Sequence, residues 1–321
     1  MKSSEEIKKI AKKCIENEVE EINSLIPRID NSFVEIINIL YKTKGRVIFS
    51  GIGKSADIAR KIVATLNSTG QPSIFLHAAD AIHGDLGNIK KEDIIVIISN
   101  SGNTDEIKNL LPLIKNMGNQ IISMTGNINS HLALESNYVI DVGVSKEACP
   151  NNLAPTTSTT VQLVMGDAIA ISLLACRDFT DKDFARFHPG GSLGKKLNIR
   201  LSDLKIQMTN PKVSKDTLIK NIIIEISKNR VGATVVIDNN FIEGIITDGD
   251  LRRAIEDEND FFSLKASDIM TEKPMIIEID CLAFDALRYM QKNNISQLIV
   301  TENKKYIGII HIHEIIKKGI V

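Results

Sequence analysis

Residues 47–55, VIFSGIGKS, read as a short apolar strand running into a glycine turn and then a helix. Similar apolar runs recur downstream at 73–76, 94–99, 120–124 and 138–142. Helical patterns lie between them, near 55–68, 104–117 and 130–134. Strand and helix alternating in this way predict an α/β domain, its parallel sheet covered by helices on both faces. Upstream, Ile7, Ile10, Ala11, Cys14, Ile15 and Val19 recur at helical spacing, as do Phe33, Ile36, Ile37 and Leu40, with Pro27 between the two helices. Downstream, residues 156–176 read as a long buried helix, and Pro189, Gly190, Gly191 and Gly194 mark a loop.

Beyond about residue 201 an internal repeat begins. Met208-Thr209 returns as Met270-Thr271, and Gly244-Ile245-Ile246 returns as Gly308-Ile309-Ile310. Each copy has a helical run (218–228; 283–293), an apolar strand (233–237; 297–300), a polar turn, a second strand and a closing helix. Units this small are expected to stack on each other.

The chain has 321 residues, 39 basic against 40 acidic side chains and a net charge of −1. A balance this neutral leaves no electrostatic footprint for nucleic acid. Lys8, Lys9, Lys12 and Lys13 alternate with Glu5, Glu6, Glu16 and Glu18, a solvated helix face rather than a basic arm. No stretch is expected to span a membrane, which takes roughly 18 apolar residues, and the N-terminus lacks the features of a signal peptide. Cys14, Cys149, Cys176 and Cys281 are scattered, which predicts reduced thiols in a cytoplasmic protein and no four-ligand zinc site.

Two loops invite an anion. Gly51, Gly53 and the following helix start form the first. It is not a Walker A loop, because Ile48 stands where that motif needs glycine. It satisfies G-x-G-x-x-A with Ala56, but the next strand ends near Leu76-His77 without the acid a nicotinamide dehydrogenase wants. In the second loop, Ser99, Ser101 and Thr104 set three hydroxyls around Gly102 at a helix start. Simple capping needs one such residue, so the cluster favours a phosphate cradle. The hydroxyls of residues 156–160 read as caps. Lys54, Glu106, Glu147, His188 and His83 are ionisable groups on or beside loops.

Together these segments resemble the sugar isomerase (SIS) domain of arabinose-5-phosphate isomerases. The matching pieces are GIGKSADIARKIVATLNSTG (51–70), HGDLG (83–87), ISNSGNTDEI (98–107), KEACPNNLAPTTSTT (146–160), MGDA (165–168) and FHPGGSLGKKL (187–197). The second half resembles a pair of CBS modules, most clearly in GIITDGDLRR (244–253). The fold implied is a flavodoxin-like doubly wound parallel sheet over 1–200, followed by an α+β tandem CBS pair over 201–262 and 263–321. The resemblance implies interconversion of D-ribulose 5-phosphate and D-arabinose 5-phosphate, without cofactor, as the first step toward the sugar acid Kdo of lipopolysaccharide or capsule. It implies a homotetramer with sites between subunits. Lys54, Glu106, Glu147 and His188 match the family's catalytic residues. Ser99, Ser101 and Thr104 match its phosphate ligands, with Ser50, Ser55 and His83 near the sugar. Asn103 departs from the glutamate expected after S-N-S-G.

Moving a proton between C1 and C2 through an enediol requires a base and a partner for the developing oxyanion. Glu147 is the first choice of base and Glu106 the second, on the expectation that partial burial raises the carboxyl's proton affinity. Lys54 would polarise the carbonyl and His188 assist ring opening. His83 and His188 are expected at most to catch an inhibitory zinc ion across a subunit interface. In the CBS pair, Thr247 and Asp250 match a ribonucleotide signature and His311 with Glu314 match it more weakly, so one nucleotide site is expected, at Thr247 and Asp250; the alternative is a pair that only helps assemble the tetramer. The alternatives are another SIS sugar-phosphate isomerase or a non-enzymatic sugar-phosphate sensor. A SIS transcription regulator would carry a basic recognition helix ahead of the first strand, and none is legible here.

Overall fold

The computed structural model describes residues 1–257 and 260–320 and resolves into two units, Met1–Phe184 and Ala185–Val321. The first opens with helices α1 (Ser4–Asn23) and α2 (Asn31–Lys42), joined by a short 3-10 turn at Ile26–Arg28. Five strands follow: β1 (Val47–Gly51), β2 (Ser73–His77), β3 (Ile94–Ser99), β4 (Ile121–Thr125) and β5 (Tyr138–Asp141). Between them lie α3 (Gly53–Ser68), α4 (Ala78–Ala81), α5 (Asp105–Met117) and α6 (His131–Glu135). All strand pairs are parallel, in the order β2-β1-β3-β4-β5.

Both faces of this sheet are buried, which is why its strands are unbroken apolar runs. Val47, Phe49, Ile94, Val96 and Ile98 point into one core with α2, α3 and the long helix α7 (Thr157–Cys176). Ile48, Ile95 and Ile97 point into the other, with Leu110, Leu111 and Ile114 of α5. The fold is the doubly wound sheet that the strand–helix alternation predicts.

One expectation is corrected by α7. With 20 residues and a mean hydropathy of 1.6, it is long and apolar enough to cross a membrane, the one such helix among the described residues. Its place in the core accounts for part of this: nine of its residues are buried, among them Val161, Met165, Ile169 and Leu173, while Ile171 is exposed. It packs against α1, α2 and α3, and at Gly166 the approach to α3 is so close that a Cβ would meet Ile62 at 2.3 Å.

The second unit begins with the end of α8 (Asp181–Phe187) and α9 (Ser192–Asn198). Two sheets then form. One is β6-β7-β8-β9 (Lys212–Val213, Ala233–Asp238, Phe241–Thr247, Thr271–Glu272). The other is β10-β11-β12 (Ile276–Glu278, Gln297–Glu302, Lys305–His311). The helices are α10 (Ile219–Asn229), α11 (Asp248–Asp257), α12 (Ala266–Ile269), α13 (Ala283–Lys292) and α14 (Ile312–Lys317).

The repeated glycines have a shared physical reason. A Cβ on Gly244 would meet the Thr271 carbonyl oxygen at 2.9 Å, and one on Gly308 would meet that of Thr209 at 2.7 Å. Ile309 N–H donates to Thr209 O at 2.7 Å, and Ile245 pairs with Thr271. Each copy's Met-Thr piece therefore lies against the other copy's glycine strand.

Candidate active site

The site is built where the sheet changes direction of growth. From β1 the chain moves outward to β2, then returns to place β3 on the other side of β1. Such a switch point, at the carboxyl ends of β1 and β3, is where an open α/β sheet is expected to leave a binding crevice. The register Gly51↔Ile98 puts the Gly51–Ser55 and Ser99–Thr104 loops side by side.

At the first loop a Cβ on Gly51 would press on the Ile98 carbonyl at 3.2 Å, and Gly53 has φ +56°, a conformation that favours glycine. Ile52 precedes α3 without a side-chain cap, so the first N–H groups of α3 are left for another acceptor. Lys54 is exposed on that first turn, and Ser55 Oγ donates to Gln162 Oε1 at 3.3 Å. Ser50, inside β1, is fully buried and its hydroxyl has no partner.

At the second loop Ser99 Oγ accepts from Gly102 N at 3.1 Å, and Ser101 Oγ accepts from Asn103 N at 3.3 Å. Gly102 has φ +64°, and a Cβ there would meet Ser130 Oγ at 2.1 Å. Thr104 occupies the cap position of α5, yet its hydroxyl caps nothing and is buried without a partner. That favours the cradle over the cap: α5 begins with free N–H donors and an idle hydroxyl beside them. Asn103, the departure from the family pattern, does structural work. Its Oδ1 accepts from His131 N at 3.1 Å, tying the loop to the start of α6. Glu106 is half-buried on the first turn of α5.

Glu147 stands in the loop before α7. Its Oε2 accepts from Thr156 N (2.8 Å), Thr156 Oγ1 (3.1 Å) and Ser158 N (3.2 Å). Its Oε1 accepts no hydrogen bond from the described residues. Two expectations change here. The 156–160 hydroxyls do not cap α7; Glu147 supplies the acceptor from outside the helix. Burial does work to raise the proton affinity of Glu147, but the donors of Ser158 and Thr156 outweigh it, and the carboxyl sits below the ordinary glutamate value.

Lys54, Glu106 and Glu147 share the first unit, together with exposed His83, whose N–H donates to Asp80 O at 2.9 Å. His188 belongs to the second unit, half-buried between α8 and α9. The glycines beside it shape its backbone: Gly191 N donates to His188 O at 3.1 Å, and a Cβ on Gly194 would meet that oxygen at 2.1 Å.

Sequence reasoning missed Gln162 and His77. Gln162 is wholly buried, with Nε2 unpartnered, on the helix face that meets Ser55; the signal was an amide in an otherwise apolar helix. His77, opposite Gly51 in the sheet, has a buried Nδ1 without a hydrogen bond, 3.6 Å from the Asp80 carboxylate. Among the described residues no three His, Cys, Asp or Glu side chains gather to hold a metal ion.

In the second unit Asp250 is buried at the start of α11. Its Oδ2 accepts from Thr247 N and Oγ1, both at 2.7 Å, and its Oδ1 accepts from Arg253 Nη2 and, at 3.4 Å, from Thr271 Oγ1. The weaker match lies in a more open place. A cavity of about 630 Å³ is lined by Thr209, Arg230, His311, His313, Glu314 and Lys317. Burial first, then neighbouring His313, holds the His311 imidazole below its ordinary value.

The chain is similar to known proteins along most of its length. A family model described as SIS domain matches residues 39–172, and one described as CBS domain matches 201–257 and 266–320. The arabinose 5-phosphate isomerase KdsD of Pseudomonas aeruginosa is 43% identical over 314 residues, 97% of this chain and 96% of the relative. The arabinose 5-phosphate isomerase KpsF of Escherichia coli is 44% identical over 296 residues, covering 91% and 90%. A solved Escherichia coli structure in complex with arabinose 5-phosphate aligns with a TM-score of 0.57 and 41% identity, over 59% of this chain and 100% of that one.

Proposed function

The chain belongs to the arabinose 5-phosphate isomerases, and from that premise we propose that it interconverts D-ribulose 5-phosphate and D-arabinose 5-phosphate at the β1–β3 crevice. The product is a precursor for Kdo. The observation that carries the reading is the Glu147 carboxylate, fixed through one oxygen at the start of α7 with the other oxygen open.

The substrate phosphate sits against the 99–104 loop and the uncapped start of α5, where N–H donors and the Thr104 hydroxyl need an acceptor. Glu147, ionised at neutral pH, takes the proton from C1 of the ketose or C2 of the aldose and returns it to the other carbon. Because its proton affinity is low, the enediolate must be stabilised strongly. Lys54 supplies that charge at the carbonyl oxygen. Glu106 is the second carboxylate, on the first turn of α5 beside the 99–104 loop, and to His188 the family resemblance alone assigns ring opening and proton transfer between oxygens. The reaction needs no cofactor in this scheme.

The test is to incubate the purified protein with D-ribulose 5-phosphate in D2O, with and without chelator, and follow proton NMR. Arabinose 5-phosphate forming in both samples supports the reading. Unchanged substrate with folded protein would direct attention to hexulose and heptulose phosphates, then to a sensor.

For the second unit the reading is a nucleotide at the cavity lined by Arg230, His311 and Lys317, where the Arg230 and Lys317 cations suit phosphate. At Thr247–Asp250 the carboxylate is already engaged. Calorimetry with adenine and cytidine nucleotides, repeated on Arg230→Ala, tests it. We also take the enzyme to be a cytoplasmic homotetramer, a reading supported by four free cysteines and by exposed Ile7, Ile10, Ile15 and Val19 on α1. Sedimentation measures the second point.

A further inference from the structure

Helix α1 is turned the unexpected way. Its only buried residues are polar, Asn17 and Glu21, while Ile7, Ile10, Ile15 and Val19 are exposed. Glu21 is 6% exposed, and a carboxylate that deep is tolerated only when hydrogen-bonded. Its Oε1 accepts from Ser145 N at 3.0 Å and from the Ser145 hydroxyl. Seven residues on, Arg28 Nη1 donates to Gly143 O at 2.9 Å, to Asp141 Oδ1 at 3.2 Å and to Asp141 O at 3.4 Å. Ser24 joins the two: its hydroxyl accepts from Arg28 Nη2 at 3.3 Å and donates to Glu21 O at 2.7 Å. Asp141 Oδ1 also accepts from Gly143 N at 2.8 Å.

The gripped segment, 141–145, is the exit from β5 and leads directly to Glu147. From there the chain has no helix or strand until α7 at Thr157. The ladder holds the chain as far as Val142, whose N–H donates to Thr125 O at 2.9 Å; beyond it there is conformational freedom to lose, and side-chain anchors are what fix it. A buried polar side chain is a weak adhesive compared with an apolar residue of the same size. Its value here lies in direction: it accepts two donors on one particular residue, two positions before the carboxylate that must meet a carbon-bound proton.

We infer that Glu21 and Arg28 are positioning residues, holding segment 141–145 so that the Glu147 carboxylate stands at its working place in the crevice. The inference rests on Glu147 being the base.

The test is a kinetic cycle on the full-length enzyme: Glu21→Ala, Glu21→Gln, Glu147→Gln and the Glu21→Ala/Glu147→Gln double variant. Each is assayed with arabinose 5-phosphate and its C2-deuterated form. Small misplacements of a reacting group slow catalysis by up to about 100-fold, so Glu21→Ala is expected to lower kcat roughly 10- to 100-fold. The deuterium effect on kcat should rise, because proton transfer becomes more rate-limiting; a smaller folded fraction would leave that ratio where it was. Glu21→Gln, which keeps the acceptor oxygen, should recover most of the rate. The double variant should be no slower than Glu147→Gln alone. Wild-type kcat in folded Glu21→Ala, an unchanged deuterium effect, or multiplicative losses in the double variant would overturn the proposal. Near-normal Glu147→Gln would remove the base reading and the inference with it, and that single variant identifies this failure separately. If Glu21→Ala does not fold, Arg28→Gln enters the same cycle with the same expected outcomes.

Discussion

Two carboxylates in this molecule sit at helix starts and accept similar donors, yet they are committed to different degrees. Asp250 lies inside the helix it serves, three residues from Thr247, and both its oxygens are engaged. Glu147 comes from a loop nine residues before Thr156, and among the described residues only its Oε2 accepts a hydrogen bond. Capping is a local motif when both partners lie within one turn, and it then uses the carboxylate up. Bringing the carboxylate from outside the helix leaves it anchored by one oxygen, with the other accepting no hydrogen bond from the described residues. The helix start of α7 thus serves as a mount, whereas that of α11 is an end in itself.

The comparison is broken most severely by neutralising each carboxylate. Glu147→Gln should fold, since its amide oxygen still accepts the N–H groups, while kcat falls by roughly 10²- to 10⁴-fold. The matching change Asp250→Asn should leave kcat within about twofold, because Asp250 is no part of the crevice chemistry. Steady-state assays on both variants decide this, and equal losses would erase the distinction.

Acid sharpens it further. Glu147 is held below its ordinary value, so it adds stability that is present above the unfolded-state value and is lost as pH falls through the folded one. Thermal midpoints of wild type and Glu147→Gln should therefore converge as pH is lowered through and below the ordinary glutamate value of 4.5. A constant gap would contradict the assignment.

A smaller effect is expected where the carboxylate only caps. Asp250→Ala should lose about 1–2 kcal/mol of unfolding free energy, the typical value of a helix cap, with catalysis intact. Denaturant melts monitored on the full chain measure it. Smallest of all, Asn103→Ala removes the tie to His131 N and should raise KM for sugar phosphate by roughly threefold, about the value of one neutral hydrogen bond.

Much of the sheet was legible because its physics is local. Ile94 to Ile98 is an unbroken apolar run that only a strand buried on both faces needs, and the 47–55 turn carries its own glycine. The residue-level site was legible mainly through resemblance. What lay beyond reach depends on partners far apart in sequence. Helical spacing shows that α1 has an apolar face but not which face meets its own chain, and Glu21 finds Ser145 across 124 residues. The state of Glu147 was misjudged for the same reason: burial can be guessed from composition, but the donors of Thr156 and Ser158 depend on how a loop closes. Likewise the repeat announced two copies without revealing that Met208-Thr209 and Met270-Thr271 trade places.

That trade has a bearing on heredity. A cut between the copies would leave each half without the strip that lines its own glycine strand, Thr209 against Gly308 and Thr271 against Gly244. Neither half is a complete module that recombination could move alone. The pair is the smallest transferable piece, so gain or loss of this region in a lineage should take both copies together.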